Sequence, residues 1–357
     1  MHVKRTVQIF CLIVCVCLAS ASGTGCGRIA SEAEAAQPAL TAYAEQQFLL
    51  DTSIAITVYA TSQQQAQAAL DAAFAAFSRI ELLATRFAAD ADNGERAAVS
   101  EVCRINASAG EQPVAVGQEI ALLLQKSQEY YTLSGGVFRA AIGPLMDLWG
   151  IGTDHARVPD DAELAAVLPF IYQENVVYDP QAGTVYLLEA GMSLDFGGIA
   201  KGYATDLAAE ALRDQGIQHA LLDAGGNVYA VGSKPDGNPW RIGIRDPRRD
   251  GEILGVVEVA DQAVVTSGDY ERYFVVDGIR YHHILDPRDG KPARAAQQTT
   301  VVAPSSLEAD ALSTITFILS QEQSAAILQE RALAGVRVAD DGEISVVLDG
   351  VTPIWLN

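Results

Sequence analysis

The chain has 357 residues, of which 45 are acidic and 24 basic, giving a formal charge of −21 and an isoelectric point near 4.5. With no stripe of Lys or Arg, that balance excludes a nucleic-acid partner, because phosphate backbones are held by clustered cations. A protein this acidic can hold a phosphate group only through a local device: a bound cation, helix N-termini, or both.

Lys4 and Arg5 precede an apolar run from Ile9 to Leu18 that is too short to span a bilayer as a mature helix. Small residues follow from Ala19 to Gly25, and then Cys26. Residues 1–25 therefore read as an export signal with two outcomes. Cleavage after Ala21 releases a soluble exported protein; cleavage before Cys26 leaves a cysteine that can carry lipid and hold the chain on a membrane surface. The distance of Cys26 from the apolar run favours the lipid anchor, although Gly23 stands where a large aliphatic residue is usual. Cys11, Cys15 and Cys17 lie inside the signal, so Cys26 and Cys103 are too few for a disulfide framework. The expected location is the cell envelope.

Residues 26–45, rich in Ala, Glu, Gln and Pro, read as a flexible tether, and 46–357 as the folded domain, long enough for about two cores. Ile54, Ile56 and Val58 alternate with smaller or polar residues as a half-buried strand does. Ser62 with Gln65 has the spacing of a capping box, and Ala66, Ala69, Leu70, Ala73, Phe74, Phe77 and Ile80 repeat at helical intervals. A second helix carries Ile120, Leu123, Leu124, Tyr130 and Tyr131 and stops at Gly135 and Gly136. Strands are expected over 184–188, 220–222, 240–244, 256–259, 272–276 and 299–302, and helices over 201–214, 307–319 and 321–330. Asp277-Gly278 marks a hairpin. The mixture predicts an α+β fold rather than a regularly wound α/β sheet.

Three blocks can carry chemistry. Ser193 to Asp206 (SLDFGGIAKGYATD) places a carboxylate and a glycine pair before a helix whose first turn holds Lys201. Glycines admit an anion close to the backbone and a helix N-terminus attracts it; a tight turn with a solvent-facing lysine has the same pattern. In the second block, Ser305 and Glu308 cap a helix on which Asp310 and Thr314, four apart, share a face. Their hard oxygens suit Mg²⁺, while a solvated Asp and Thr would look no different. The third block, Arg280 to Pro292, holds two of the chain's five histidines, His282 and His283. Neighbouring strand residues point to opposite faces, so at most one can face a given cleft as a general base. Two turn-rich stretches, Ser134 to Arg139 and Thr266 to Arg272, complete the set.

In this order the blocks LDFGGIAKGYATD, LLDAGGNVYAVG, TSGDYERYF, YHHILDP and ADALST resemble the FAD:protein FMN transferase (ApbE-like) family, from about Phe48 to the C-terminus. The resemblance implies a T-fold-related α+β architecture of mixed sheets with flanking helices and an FAD cleft between two subdomains. It implies Mg²⁺-dependent transfer of FMN from FAD to a Ser or Thr hydroxyl of an acceptor protein, an exported or membrane-bound redox subunit, with release of AMP. His283 would be the base, and Asp310, Thr314 and the carbonyl of Gly198 the metal ligands. Asp195 and Lys201 would contact FAD; Leu50, Phe87, Val137, Phe138, Arg139 and the backbone of Ile284 would line its site. The chain departs from the family at Asp51, where Gly is usual, at Thr85 for Ser, at Arg139 for Asp, and in a longer segment over 88–98. A Mg²⁺-dependent FAD pyrophosphatase and a non-catalytic exported flavin-binding protein are the rival readings.

Overall fold

The structure, a computed structural model, describes residues 39–87, 100–347 and 354–355. The expected export signal, Cys26 and the 88–98 segment lie outside the described residues. No helix among the described residues is long and apolar enough to cross a membrane.

Two antiparallel strands, β1 (Thr41–Leu49) and β2 (Thr52–Ala60), open the fold, with Leu49 opposite Thr52. The two-residue turn between them requires positive φ at both positions, and Leu50 and Asp51 sit at φ 52° and 56°. A branched apolar residue adopts that conformation at a cost, whereas Asp tolerates it and Gly adopts it freely; this is the physical meaning of the family's glycine at the position of Asp51. Strand β1 begins at Thr41, so the last part of the expected 26–45 tether is strand. Its sequence hides this because β1 is an edge strand, paired on one side only and mostly exposed, with no apolar alternation to read.

Six further strands extend the sheet: β3 (Ala220–Ala224), β4 (Asn227–Val231), β5 (Gln262–Gly268), β6 (Ala296–Ala303), β7 (Ala334–Ala339) and β8 (Ile344–Val347). Their spatial order is their chain order and every neighbouring pair is antiparallel. Alternation along each strand feeds two cores, one on each face of the sheet. Ala263 and Val265 of β5 face one core while Val264 faces the other, and Val301 and Val302 of β6 divide in the same way. Three helices cover the first face: α1 (Gln63–Ala84), α2 (Ala200–Asp214) and α3 (Ser306–Ile318). Strands Trp240–Arg245 and Ile253–Val259 cover the second, through Trp240, Ile242, Ile244, Val257 and Val259. Each fully buried aliphatic or aromatic side chain contributes about 1.5–3 kcal/mol. From Ala39 onward the chain forms one compact unit, and its eight-stranded sheet takes strands from both halves of the sequence.

Helices α2 and α3 are joined at their N-termini. Gly202 lies against the Ser306 carbonyl, and a Cβ there would stand 2.7 Å from Leu307 Cα. At that approach each helix caps the other. Asp206 of α2 accepts hydrogen bonds from Ser305 Oγ (2.7 Å), Ser306 N–H (2.6 Å) and Leu307 N–H (3.0 Å), and Asp310 of α3 accepts one from Gly202 N–H (2.8 Å). Both carboxylates satisfy N–H groups that a helix leaves free and meet the positive end of its dipole. Replacing Gly202 with Ala should force the helices apart and lower the unfolding free energy by about 1–3 kcal/mol. A urea titration checks this, and an unchanged midpoint would mean that the contact is not tight.

Candidate active site

The glycine loop before α2 is fixed from three sides. Asp195 N–H donates to the Ala140 carbonyl (2.8 Å), Gly197 N–H donates to Asp195 Oδ1 (2.7 Å), and Arg86 Nε stands 2.8 Å from Asp195 Oδ2. Arg86 also pairs with Asp147 at 2.8 Å and is almost wholly buried. Burial opposes its charge, but the two carboxylates outweigh burial and hold its pKa above the ordinary value. The loop lies on the ring of Phe138: a Cβ at Gly198 would stand 3.0 Å from Phe138 Cε2. Phe138 and Val137 are buried.

In the first turn of α2, Lys201 does not point into solvent. Its Nζ lies 3.2 Å from Asp310 Oδ1 and its side chain is 24% exposed, so the bare-turn reading of this block fails. The same carboxylate has a second effect. Gly202 is the third residue of α2, so its N–H is one of those a helix start leaves without an internal partner, and Asp310 takes it. Just before the helix, no donor among the described residues reaches the Gly198 oxygen. One turn beyond Asp310, Thr314 Oγ1 stands 3.5 Å from Ser267 Oγ, which is itself 2.8 Å from Ser313 Oγ. The end of β5 and the two helices thus present a carboxylate, hydroxyls and an uncommitted carbonyl. All are hard oxygen donors, and the set fits Mg²⁺.

The two histidines separate sharply. His282, at the end of strand Ile279–His282, is 1% exposed. Its Nε2 is 2.8 Å from the Ala293 carbonyl, so that nitrogen carries the proton, and its Nδ1 accepts from Ile284 N–H at 3.3 Å. With both nitrogens committed and Phe317 against the ring, burial pushes its pKa down to about 4. His283 turns the other way. Its backbone N–H donates to the Arg272 carbonyl (3.1 Å) and its Nδ1 lies 3.3 Å from the same oxygen. Since a carbonyl can only accept, Nδ1 carries the hydrogen and Nε2 keeps a free lone pair. Burial, then the positive charges of Arg272 and Lys201, hold His283 well below the ordinary histidine value.

Leu50 occupies the left-handed turn described above, with its N–H on Glu81 Oε1 (3.1 Å). Next to that turn, Thr52 packs so closely on Gly225 that no side chain fits there. This is the end of the sheet where β5 delivers Ser267 and Gly268. Phe87 is 55% exposed with the Arg86 guanidinium 4.5 Å from its ring centre. The structure does not bring Arg139 to the glycine loop: its guanidinium donates to the carbonyls of Gly136 (2.8 Å) and Ile171 (3.2 Å). Both backbone groups of Ile284 are already bonded, the N–H to His282 and the carbonyl to Ala293 N–H (2.9 Å). Sequence reasoning passed over Arg86, Gly202, Asp206 and the hydroxyl of Ser267. Only Asp206 had a readable signal, as a carboxylate four residues after a helical glycine.

The buried His282 has a consequence for stability. The unfolded chain takes up a proton near pH 6.5, the folded chain only near 4, so this stabilisation is complete above about pH 6.5. As the pH falls toward 4 up to about 3 kcal/mol of it is lost. His282→Gln, which keeps a donor for Ala293, should flatten the fall of Tm between those pH values; parallel curves for the two proteins would contradict a neutral, buried His282.

Residues 50–337 match the model of the ApbE family. A Klebsiella pneumoniae (strain 342) protein named FAD:protein FMN transferase is 40% identical over 236 residues, covering 66% of this chain and 73% of its own. A Treponema pallidum (strain Nichols) protein of the same name is 36% identical over 304 residues, covering 81% and 82%. Among solved structures, the ApbE protein of Thermotoga maritima superposes with a TM-score of 0.77 at 33% identity, covering 85% of this chain and 96% of its own. The flavin transferase ApbE of Vibrio cholerae, with a TM-score of 0.76 at 24% identity over 87% and 98% of the two chains, has the same fold. The architecture, the glycine loop joined to Asp310 and the match over most of the sequence agree: the chain belongs to the ApbE family.

Proposed function

We propose that this protein transfers FMN from FAD to a Ser or Thr hydroxyl of an acceptor protein, forming a phosphoester and releasing AMP. The observation that carries the reading is the pairing of Lys201 with the buried carboxylate of Asp310 beside the glycine loop, two groups far apart in sequence. Relatives named for this reaction at 40% and 36% identity support it.

The acceptor oxygen attacks the FMN-side phosphorus of FAD. The new P–O bond forms as the pyrophosphate P–O bond breaks, and AMP departs with that oxygen. His283 Nε2, unprotonated because of burial and the nearby cations, takes the hydroxyl proton. Lys201 offsets charge that develops on the phosphate oxygens. Asp195, anchored by Arg86, holds the glycine loop in place for the pyrophosphate, with Phe138 and Val137 as its floor and Leu50 and Phe87 as contacts of the flavin side. Asp310, Thr314 and the Gly198 carbonyl would hold Mg²⁺, which when bound supplies positive charge to the phosphate bridge. Arg139 and the Ile284 backbone would reach FAD only by giving up the bonds they make now. The export signal and Cys26 support an enzyme of the cell envelope, lipid-anchored, acting on exported or membrane redox subunits.

Incubating the purified protein with FAD, Mg²⁺ and a flavin-free redox subunit should add the mass of FMN to that subunit with one AMP released per transfer. AMP and free FMN without any mass gain would replace this reading with hydrolysis. His283→Ala should lower the transfer rate roughly 10²–10⁴-fold while FAD binding, followed by flavin fluorescence, is retained. Because the His283 pKa is depressed, the acid limb of the wild-type rate profile should lie below pH 6.5; a limb at or above that value would contradict the assignment.

A further inference from the structure

The hairpin that ends at His283 carries an unused edge. Strands Tyr273–Val276 and Ile279–His282 pair with Tyr273 opposite His282 and Val276 opposite Ile279, joined through Asp277 and Gly278 at φ 51° and 78°. In an antiparallel pair closed by a two-residue turn, hydrogen-bonded and non-bonded positions alternate from the turn outward. Val276, Phe274 and Arg272 therefore bond inward, the last confirmed by His283 N–H on the Arg272 carbonyl. Tyr273 and Val275 turn their N–H and C=O outward, and none of these four groups has a backbone partner beyond the hairpin among the described residues. The opposite edge is obstructed, since the Arg280 carbonyl accepts from Arg294 Nη2 (2.7 Å). Around the open edge the side chains are apolar yet exposed: Tyr273 45%, Val275 56%, Val276 41% and Ile279 50%.

An exposed apolar strand edge invites pairing with another chain, and proteins ordinarily blunt such edges with charge or proline. Here it runs straight into the base: the Arg272 carbonyl that closes the edge is the oxygen that orients the His283 ring. We infer that strand Tyr273–Val276 is where the acceptor polypeptide docks, adding an extended segment to the hairpin and so bringing its hydroxyl to His283 Nε2. At about 3.3 Å per residue, a segment bonded at Val275 and Tyr273 runs on past Arg272, whose inward carbonyl holds the imidazole. Main-chain bonds supply registry while the exposed Tyr and Val side chains supply contact area. The inference rests on the transfer reading above.

The test uses a flavin-free redox subunit that the wild-type protein flavinylates. Hydrogen exchange of the wild-type enzyme should slow at the amides of Tyr273 and Val275 when that acceptor is added. Val275→Pro removes one outward N–H without touching an inward bond; it should raise the KM for the acceptor about tenfold, the loss of roughly one docking hydrogen bond. FAD affinity should not change, and Val275→Thr, which keeps the N–H, should behave as wild type. Unaltered exchange at these amides, or a Val275→Pro enzyme with the wild-type acceptor KM, overturns the docking site alone. Should the wild type add FMN to no acceptor while still releasing AMP, the transfer reading and the docking site fall together. If Val275→Pro does not fold, the exchange measurement on the wild type still decides.

Discussion

One hydrogen bond organises the centre of this protein: Gly202 N–H, which the start of α2 leaves without an internal partner, donates to Asp310. The contact is possible only because Gly202 has no side chain and α3 can approach to backbone contact. It stitches two helices from distant parts of the chain, returned by Asp206 on the other helix. Beside it, the Gly198 carbonyl in the glycine loop has no donor among the described residues. Fold and site thus meet where the two helix ends are joined.

The acidic composition makes the placement of cations informative. On a surface dominated by carboxylates, Lys201 and Arg272 both act on His283, and Arg86 is buried between two aspartates. Burial first, and then these positive charges, keep the histidine in its basic form, while Arg86 fixes the loop, so the cations work on neighbouring groups rather than on bulk solubility. The adjacent histidine shows the contrast. His282 has the same side chain one position earlier, yet its two nitrogens are spent on Ala293 and Ile284, so it serves the core.

Much of this was legible in the sequence where local rules suffice. The helices capped by Ser62 and Ser305 form where their hydroxyls can accept N–H bonds, and the turn at Asp277-Gly278 follows from its residues. That only one histidine could face a cleft followed from strand geometry. What stayed hidden depends on partners remote in the chain. Strand β1 lacks apolar alternation because one edge and most of its surface meet water. Arg86 reads as an ordinary helix-end residue until Asp147 and Asp195 arrive, and Gly202 reads as a weak helical position until α3 is laid against it. The engagement of Arg139 by the Gly136 and Ile171 carbonyls likewise could not be seen from its place after Phe138.

The order of the sheet carries a consequence for how the chain is assembled. Strand β2 finds its second partner only when Ala220–Ala224 has been made, whereas β3 to β8 follow one another with shorter excursions. During synthesis the opening hairpin must therefore wait with Ile54, Ile56 and Val58 uncovered and a bare flank, a template for mispairing in a crowded compartment. Helix α1, which is made immediately afterwards and packs on this hairpin, is the natural guard during that interval.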